Sequence, residues 1–206
     1  MAEGGTRTYR GMSAVDRDAD RRARLLAAGL EVFDTTGYAT STIEAICSRA
    51  GVTARNFYDH FTGREALLRA VYDESVELHV AAVAGALADA DDDLEPVVRR
   101  SVEAAVRAVA DDPRRARIMQ LQSVGVTEEF EQHRLVVVER YAALIVSSAD
   151  RLVQRGALPP RDRHLTALAL VGAMSQLVVW WLGRDPAPPT QPLVDELVRL
   201  FVHALP

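Results

Sequence analysis

The sequence predicts an all-α protein of about nine helices, with a three-helix unit at the N-terminal end and a larger helical part behind it. Three observations predict this class. Apolar residues recur at intervals of three and four along most of the chain, as on one face of an α-helix. No segment alternates apolar and polar residues as a half-buried strand does. Ser, Thr or Pro stands ahead of many apolar runs and Gly behind several of them, where helices start and stop.

Residues 1–12 carry Gly and Arg without an apolar stripe and are expected to form a disordered arm. Ser13 with Asp16 offers a cap for a first helix to about Thr35, with Leu26, Leu30 and Phe33 as its stripe and Gly37 past its end. Ser41 with Glu44, and Thr62 with Glu65, have capping-box spacing; Thr53 can cap the helix between them, after a turn at Gly51. From Gly63 a long helix runs toward Ala90 through Leu67, Leu68, Val71, Tyr72, Val76 and Val80, and the acidic run Asp89–Asp93 breaks it. Pro96 suits the first turn of a helix over Val97–Ala110. Pro113 opens a short helix to about Ser123. Thr127 caps a long one reaching about Arg155, stopped by Gly156 and Pro159-Pro160. Arg161–Gly183 is strongly apolar; a proline-containing linker follows, then a last helix over Pro192–Ala204. The expected division is 1–12, 13–62 and 63–206.

Composition bounds the function. At 49% hydrophobic and 26% charged, 206 residues can fill a sizeable core. The net charge of −5 excludes a generally basic nucleic-acid coat protein but not a local site. Residues 1–70 hold 10 Arg against 9 acidic residues, and the rest of the chain is clearly acidic. All cations are Arg, which suits bidentate phosphate and base contacts. A single cysteine, Cys47, excludes an internal disulfide and a Cys-based metal cluster, and is expected as a small buried thiol. The longest apolar stretch, Ala167–Leu182, is too short and too interrupted to predict a membrane span, and Met1–Ser13 lacks the apolar stretch of a secretory signal. A soluble cytoplasmic protein without a membrane partner is expected.

Residues 41–65 carry the most information. Two short capped helices joined at Gly51 present Arg55, Asn56, Tyr58 and His60 nearly consecutively, which suits insertion into a DNA major groove. Arg49, Ala54, Arg55 and Asn56 are the candidates for base reading, since Arg pairs with guanine O6/N7 and Asn with adenine N6/N7. Thr42 and Thr53 are caps first, and helix N-termini also attract phosphate. Phe57 and Phe61 are expected inward, with Tyr58 and His60 outward.

The chain resembles the TetR family of transcriptional regulators. The likeness rests on Leu25-Leu26-Ala27-Ala28, Phe33, Gly37, Ile46, Ala50-Gly51-Val52-Thr53 and Phe57-Tyr58-Asp59-His60-Phe61-Thr62-Gly63-Arg64-Glu65-Ala66-Leu67, and covers about residues 21–70. It implies an N-terminal DNA-binding domain with a helix-turn-helix, a helical ligand-binding and dimerisation domain, and a homodimer on double-stranded palindromic operator DNA. It further implies that Tyr58 and His60 bond phosphates, that Arg64 reaches the DNA backbone, that helices 4–7 enclose a small-molecule effector site, and that helices 8 and 9 form the dimer bundle. Repression is the usual role in the family. Two departures stand out: Arg55 replaces a small residue, and Arg64 a Lys. Arg7 and Arg10 could form a minor-groove arm, but a plain tail is the better expectation.

Behind residue 70 the signals are weaker. Met119, Gln122, Tyr141, Met174 and Trp181 are the candidate ligand-binding residues. In Arg161–Gly183 one face holds Ala169, Gly172, Ala173 and Gln176, another Leu170, Met174, Leu177 and Trp181; either could line the pocket or the interface. The acidic run lacks the Gly and spacing of a calcium loop, the histidines show no ligand pairing within a turn, and no catalytic constellation or cofactor motif is visible. No enzyme, metal or cofactor is expected. The competing reading is a helical small-molecule binder or enzyme without operator binding.

Overall fold

The computed structural model describes residues 14–88 and 93–206; the expected arm 1–12 with Arg7 and Arg10, the Ser13 cap and the acidic residues of 89–92 lie outside them. The described residues form nine α-helices and a π-helical turn, without a strand. These are α1 (Ala14–Thr36), α2 (Ile43–Ala50), α3 (Ala54–His60), α4 (Arg64–Ala88), α5 (Leu94–Asp111), α6 (Pro113–Arg117), the π turn (Ile118–Gln122), α7 (Glu128–Gln154), α8 (His164–Leu182) and α9 (Gln191–Ala204).

Local chemistry sets most ends. Thr42, one residue after the expected Ser41, is the N-cap of α2 and accepts from Ala45 N at 3.1 Å. Ser41 is instead buried and donates to the Tyr38 carbonyl at 2.8 Å. Glu65 does not close a capping box with Thr62; its Oε1 accepts from the Thr127 hydroxyl at 2.9 Å and ties α4 to the start of α7. Gly51 has φ 64, a left-handed conformation that closes α2 while its N–H and that of Val52 return to α2 carbonyls. The expected single helix over Pro113–Ser123 changes form at Ile118, where Ser123 N bonds Ile118 O at 3.2 Å, one residue beyond α-helical reach.

The buried apolar side chains form two cores. The first gathers Leu25 and Phe33 of α1, Ile46 of α2, Phe57 of α3, and Leu67, Leu68 and Val71 of α4, all fully buried. The second joins Val102 and Val106 of α5 to Leu170 and Trp181 of α8 and Leu197 and Phe201 of α9. Burying each such side chain contributes roughly 1.5–3 kcal/mol relative to leaving it exposed. Helix α4 belongs to the first core at its start and reaches the second at Leu87. A polar ladder clips it to α7: Arg69 to Glu129 (3.0 Å), Asp73 to His133 (2.5 Å), Glu77 to Arg140, and His79 to Tyr141 (3.1 Å).

Helix α8 is 19 residues and, contrary to the sequence expectation, is long and apolar enough to cross a membrane, because His164–Thr166 add its first turn. It packs on α7, with Ala167, Leu170, Val178 and Trp181 buried. Ahead of it, Arg163 is 2% exposed and donates to three carbonyls, Leu205 O (2.7 Å), Arg161 O (3.1 Å) and Pro159 O (2.6 Å). It thereby pins the end of α9 to the α7–α8 loop. Arg163→Ala would leave those carbonyls without a donor, and it is expected to destabilise the fold by about 2–4 kcal/mol in chemical denaturation.

Candidate nucleic-acid interface and ligand cavity

Helix α3 is held from beneath by the fully buried Phe57 and by Phe61 just past its end. Thr53 caps it, accepting from Asn56 N at 3.2 Å and donating to Asn56 Oδ1 at 2.9 Å. The side chains left on the outer face are Ala54, Arg55, Tyr58 and Asp59, with Asn56 half-buried. Tyr58 is 59% exposed, standing edge-on to Phe57. The turn before α3 is braced from α1, where Arg24 donates to Ala50 O (3.0 Å) and Gly51 O (3.3 Å).

Two expected outward groups, Arg64 and His60, turn inward, while Arg49 stays exposed in a surface ion pair. Arg64 turns inward: its Nη1 donates to Tyr38 O (2.9 Å), to Ser41 O and to Ser41 Oγ (3.2 Å), and its guanidinium lies 5.1 Å from the Tyr38 ring centroid. A guanidinium makes stronger bonds to the carbonyls of the α1–α2 loop than a neutral donor does. Arg49 lies on α2, not α3, and pairs with Glu31 of α1 at 2.5 Å. His60 turns toward α1; its side chain is 7% exposed, and Nε2, 3.6 Å from Asp18 Oδ1, lacks a hydrogen-bond partner. Cys47 is buried between the helices, and burial pushes its thiol pKa up.

A cavity of about 180 Å³ opens in the second half of the molecule, bounded by α4 to α9 and the π turn. Of the five sequence candidates, Met119, Tyr141 and Met174 line it. Trp181 does not: it is buried in the core and donates from Nε1 to Pro188 O at 2.9 Å, fastening the proline linker. Gln122 does not either; its Oε1 accepts from Tyr38 N at 3.0 Å. The sequence reading missed His79, Ser75 and Arg115. His79 continues the inward stripe Tyr72–Val76 of α4, which was the available signal. Burial holds the His79 imidazole below its usual pKa, and a hydrogen bond to the Ala105 backbone only partly offsets this. Burial likewise pushes the Tyr141 phenol far above its usual value.

The π turn joins the two sites. Met119 and Gln120 line the cavity, and Gln122, at the end of the same turn, holds the loop that Arg64 also holds. Arg117, just ahead, pairs with Asp34 of α1 at 3.0 Å. Among the described residues no group of acidic, His and Cys side chains could hold a metal ion.

Residues 25–71 match the family model described as bacterial regulatory proteins, tetR family. The chain is 23% identical over 199 residues to the HTH-type transcriptional regulator EthR of Mycolicibacterium smegmatis, covering 96% of this chain and 90% of that one. It is 29% identical over 166 residues to the HTH-type transcriptional activator FasR of the same species, covering 81% and 74%. Its fold is that of the transcriptional regulator FadR from Bacillus subtilis, solved in complex with stearoyl-CoA: TM-score 0.78, 17% identity, 88% of this chain and 98% of that chain. The capped pair α2 and α3, with α3 exposed, has the form of a helix-turn-helix. Residues 25–71 carry the pattern of the TetR family's regulatory proteins, and over most of its length the chain is similar to two transcriptional regulators.

Proposed function

We propose that this chain is a ligand-responsive repressor that binds a palindromic operator as a homodimer and is released by a small, mostly apolar effector. Residues 13–62 serve as the DNA-binding domain and 63–206 as the ligand-binding and dimerisation domain. The observation that carries the reading is the π turn, one end of which lines the cavity while the other holds the loop feeding α2. The FadR complex with stearoyl-CoA supports an apolar effector for a chain of this fold.

On DNA, α3 enters the major groove with Ala54, Arg55 and Asn56 toward base edges, and Arg55 as the chief reader. Thr42, Thr53 and Tyr58 contact phosphates, which fix register without reading sequence. Arg64, Arg49 and His60 act from behind, positioning the helices through Ser41, Glu31 and α1. A cytoplasmic location follows from the DNA partner.

The dimer face is α7 with α8. Helix α9, expected to share it, is spent on α5: Leu193, Leu197 and Phe201 are buried, and its outer face carries Asp195, Glu196 and Arg199. Helix α8 instead exposes Leu165, Ala169, Gly172, Gln176 and Trp180, and α7 exposes Leu135 and Val136. His164 lies 3.7 Å from Glu139, which brings the start of α8, with the exposed Leu165, beside α7.

Selection from random duplex DNA tests the reading. The expected product is a palindrome whose half-sites lie about 34–36 Å apart, or one further helical turn. Arg55→Ala is expected to relax preference at one position of each half-site by about 1–3 kcal/mol. A single unrepeated site would contradict the dimer, and no enriched sequence would contradict operator binding.

A further inference from the structure

Most of the hydroxyls lining the cavity, those of Ser75, Ser101, Ser148 and Tyr141 but not that of Ser175, share a property that constrains what it holds. The hydroxyls of Ser75, Ser101 and Ser148 each donate back to their own helix, to Val71 O (2.7 Å), Val98 O (2.9 Å) and Leu144 O (2.8 Å). A carbonyl can only accept, so each serine has spent its single proton and offers the cavity lone pairs alone. Tyr141 Oη lies 3.1 Å from His79 Nδ1, and the His79 ring also bonds the Ala105 carbonyl. A neutral imidazole carries one proton, and a carbonyl can only accept; the proton therefore lies on the ring nitrogen facing Ala105, so Nδ1 accepts and Tyr141 donates. Tyr141 therefore also faces the cavity as an acceptor.

A positive charge for an anion is not on offer either. Arg115, the cation lining the cavity, is 2.9 Å from Glu74 and 3.5 Å from Asp112, so its charge is already balanced. Gln120 adds a neutral amide, and the remaining wall is mainly aliphatic. A carboxylate brought here would find neutral donors at most, those of Ser175 and Gln120, and would lose its hydration without a counterion.

We propose that the cavity takes a neutral, mostly apolar molecule bearing a hydroxyl or N–H donor, seated on the Tyr141 oxygen, and rejects carboxylate-headed molecules of equal length. The proposal rests on the reading of this cavity as the effector site. Its volume is a little above the roughly 150 Å³ of a cavity that holds benzene, which suits a molecule of about eight to ten heavy atoms.

The test is calorimetry on the full chain at neutral pH with octan-1-ol, 1-methoxyoctane and octanoate. Octan-1-ol is expected to bind about tenfold tighter than the ether, which lacks the donor, and octanoate to bind more weakly than either. Tyr141→Phe is expected to bring octan-1-ol down to the ether's affinity while leaving the ether unchanged, and the unchanged ether shows that the cavity is intact. Equal binding of alcohol and ether by the unsubstituted chain, octanoate binding tightest, or no binding by any of the three would overturn the assignment. Operator binding is measured separately without ligand. Its absence, with the alcohol preference intact, would sink the regulator reading and spare this one.

Discussion

Arg64→Ala is expected to weaken binding to operator DNA by tenfold or more while leaving the salt dependence of binding unchanged. The guanidinium ties the start of α4 to Tyr38 and Ser41, and Thr42, the next residue, caps α2. Each hydrogen bond from a charged group contributes about 1.5–3 kcal/mol net, and about 1.4 kcal/mol is a factor of ten in affinity. Losing the set frees the α1–α2 loop and lets the helix-turn-helix drift against α4. A residue that touched phosphate would behave otherwise, lowering the slope of log K against log salt by about 0.9. Fluorescence anisotropy with a fixed duplex at several salt concentrations separates the two. Tyr58→Phe, on the outer face of α3, should weaken binding across all sequences, as a phosphate contact does.

Cutting the π turn's grip on the DNA-binding domain is expected to have the second large effect. Gln122→Ala together with Arg117→Ala removes the bond to Tyr38 N and the ion pair to Asp34, whose side chain is only 13% exposed. Neither residue lines the cavity or lies on α3. Affinity for ligand alone and for DNA alone should therefore change little. The factor by which ligand weakens DNA binding, about 5–150 for usual linkage, should fall by roughly fivefold or more. Titrating a labelled operator complex with octan-1-ol reads this directly; an undiminished factor in the double variant would assign the coupling to α4 alone.

The helices and the helix-turn-helix were legible because local rules decide them. Apolar periodicity, the Thr53 and Thr127 caps and the turn at Gly51 act over a few residues, and the fold obeys them. What escaped depends on partners distant in sequence. Arg64 reads as a surface cation until Tyr38 and Ser41 are folded against it, 26 and 23 residues away. Gln122 reads as a pocket amide until Tyr38 arrives 84 residues distant. The same holds for Trp181, claimed by the Pro188 carbonyl. The two faces of α8 were visible, but only packing shows that Ala169, Gly172 and Gln176 remain outside. The change to π geometry at Ile118 has no sequence signal that we can name.

The central claim is that one molecule couples an apolar cavity to a DNA-reading helix, and linkage makes that claim measurable from either end. Calorimetry of octan-1-ol binding, with and without saturating operator duplex, is the most direct test. The account predicts that operator weakens the alcohol by the same factor, about 5–150, by which the alcohol weakens operator. Equal alcohol affinities in the two conditions, with binding to the cavity verified by its fall to the ether's affinity in Tyr141→Phe, would contradict it.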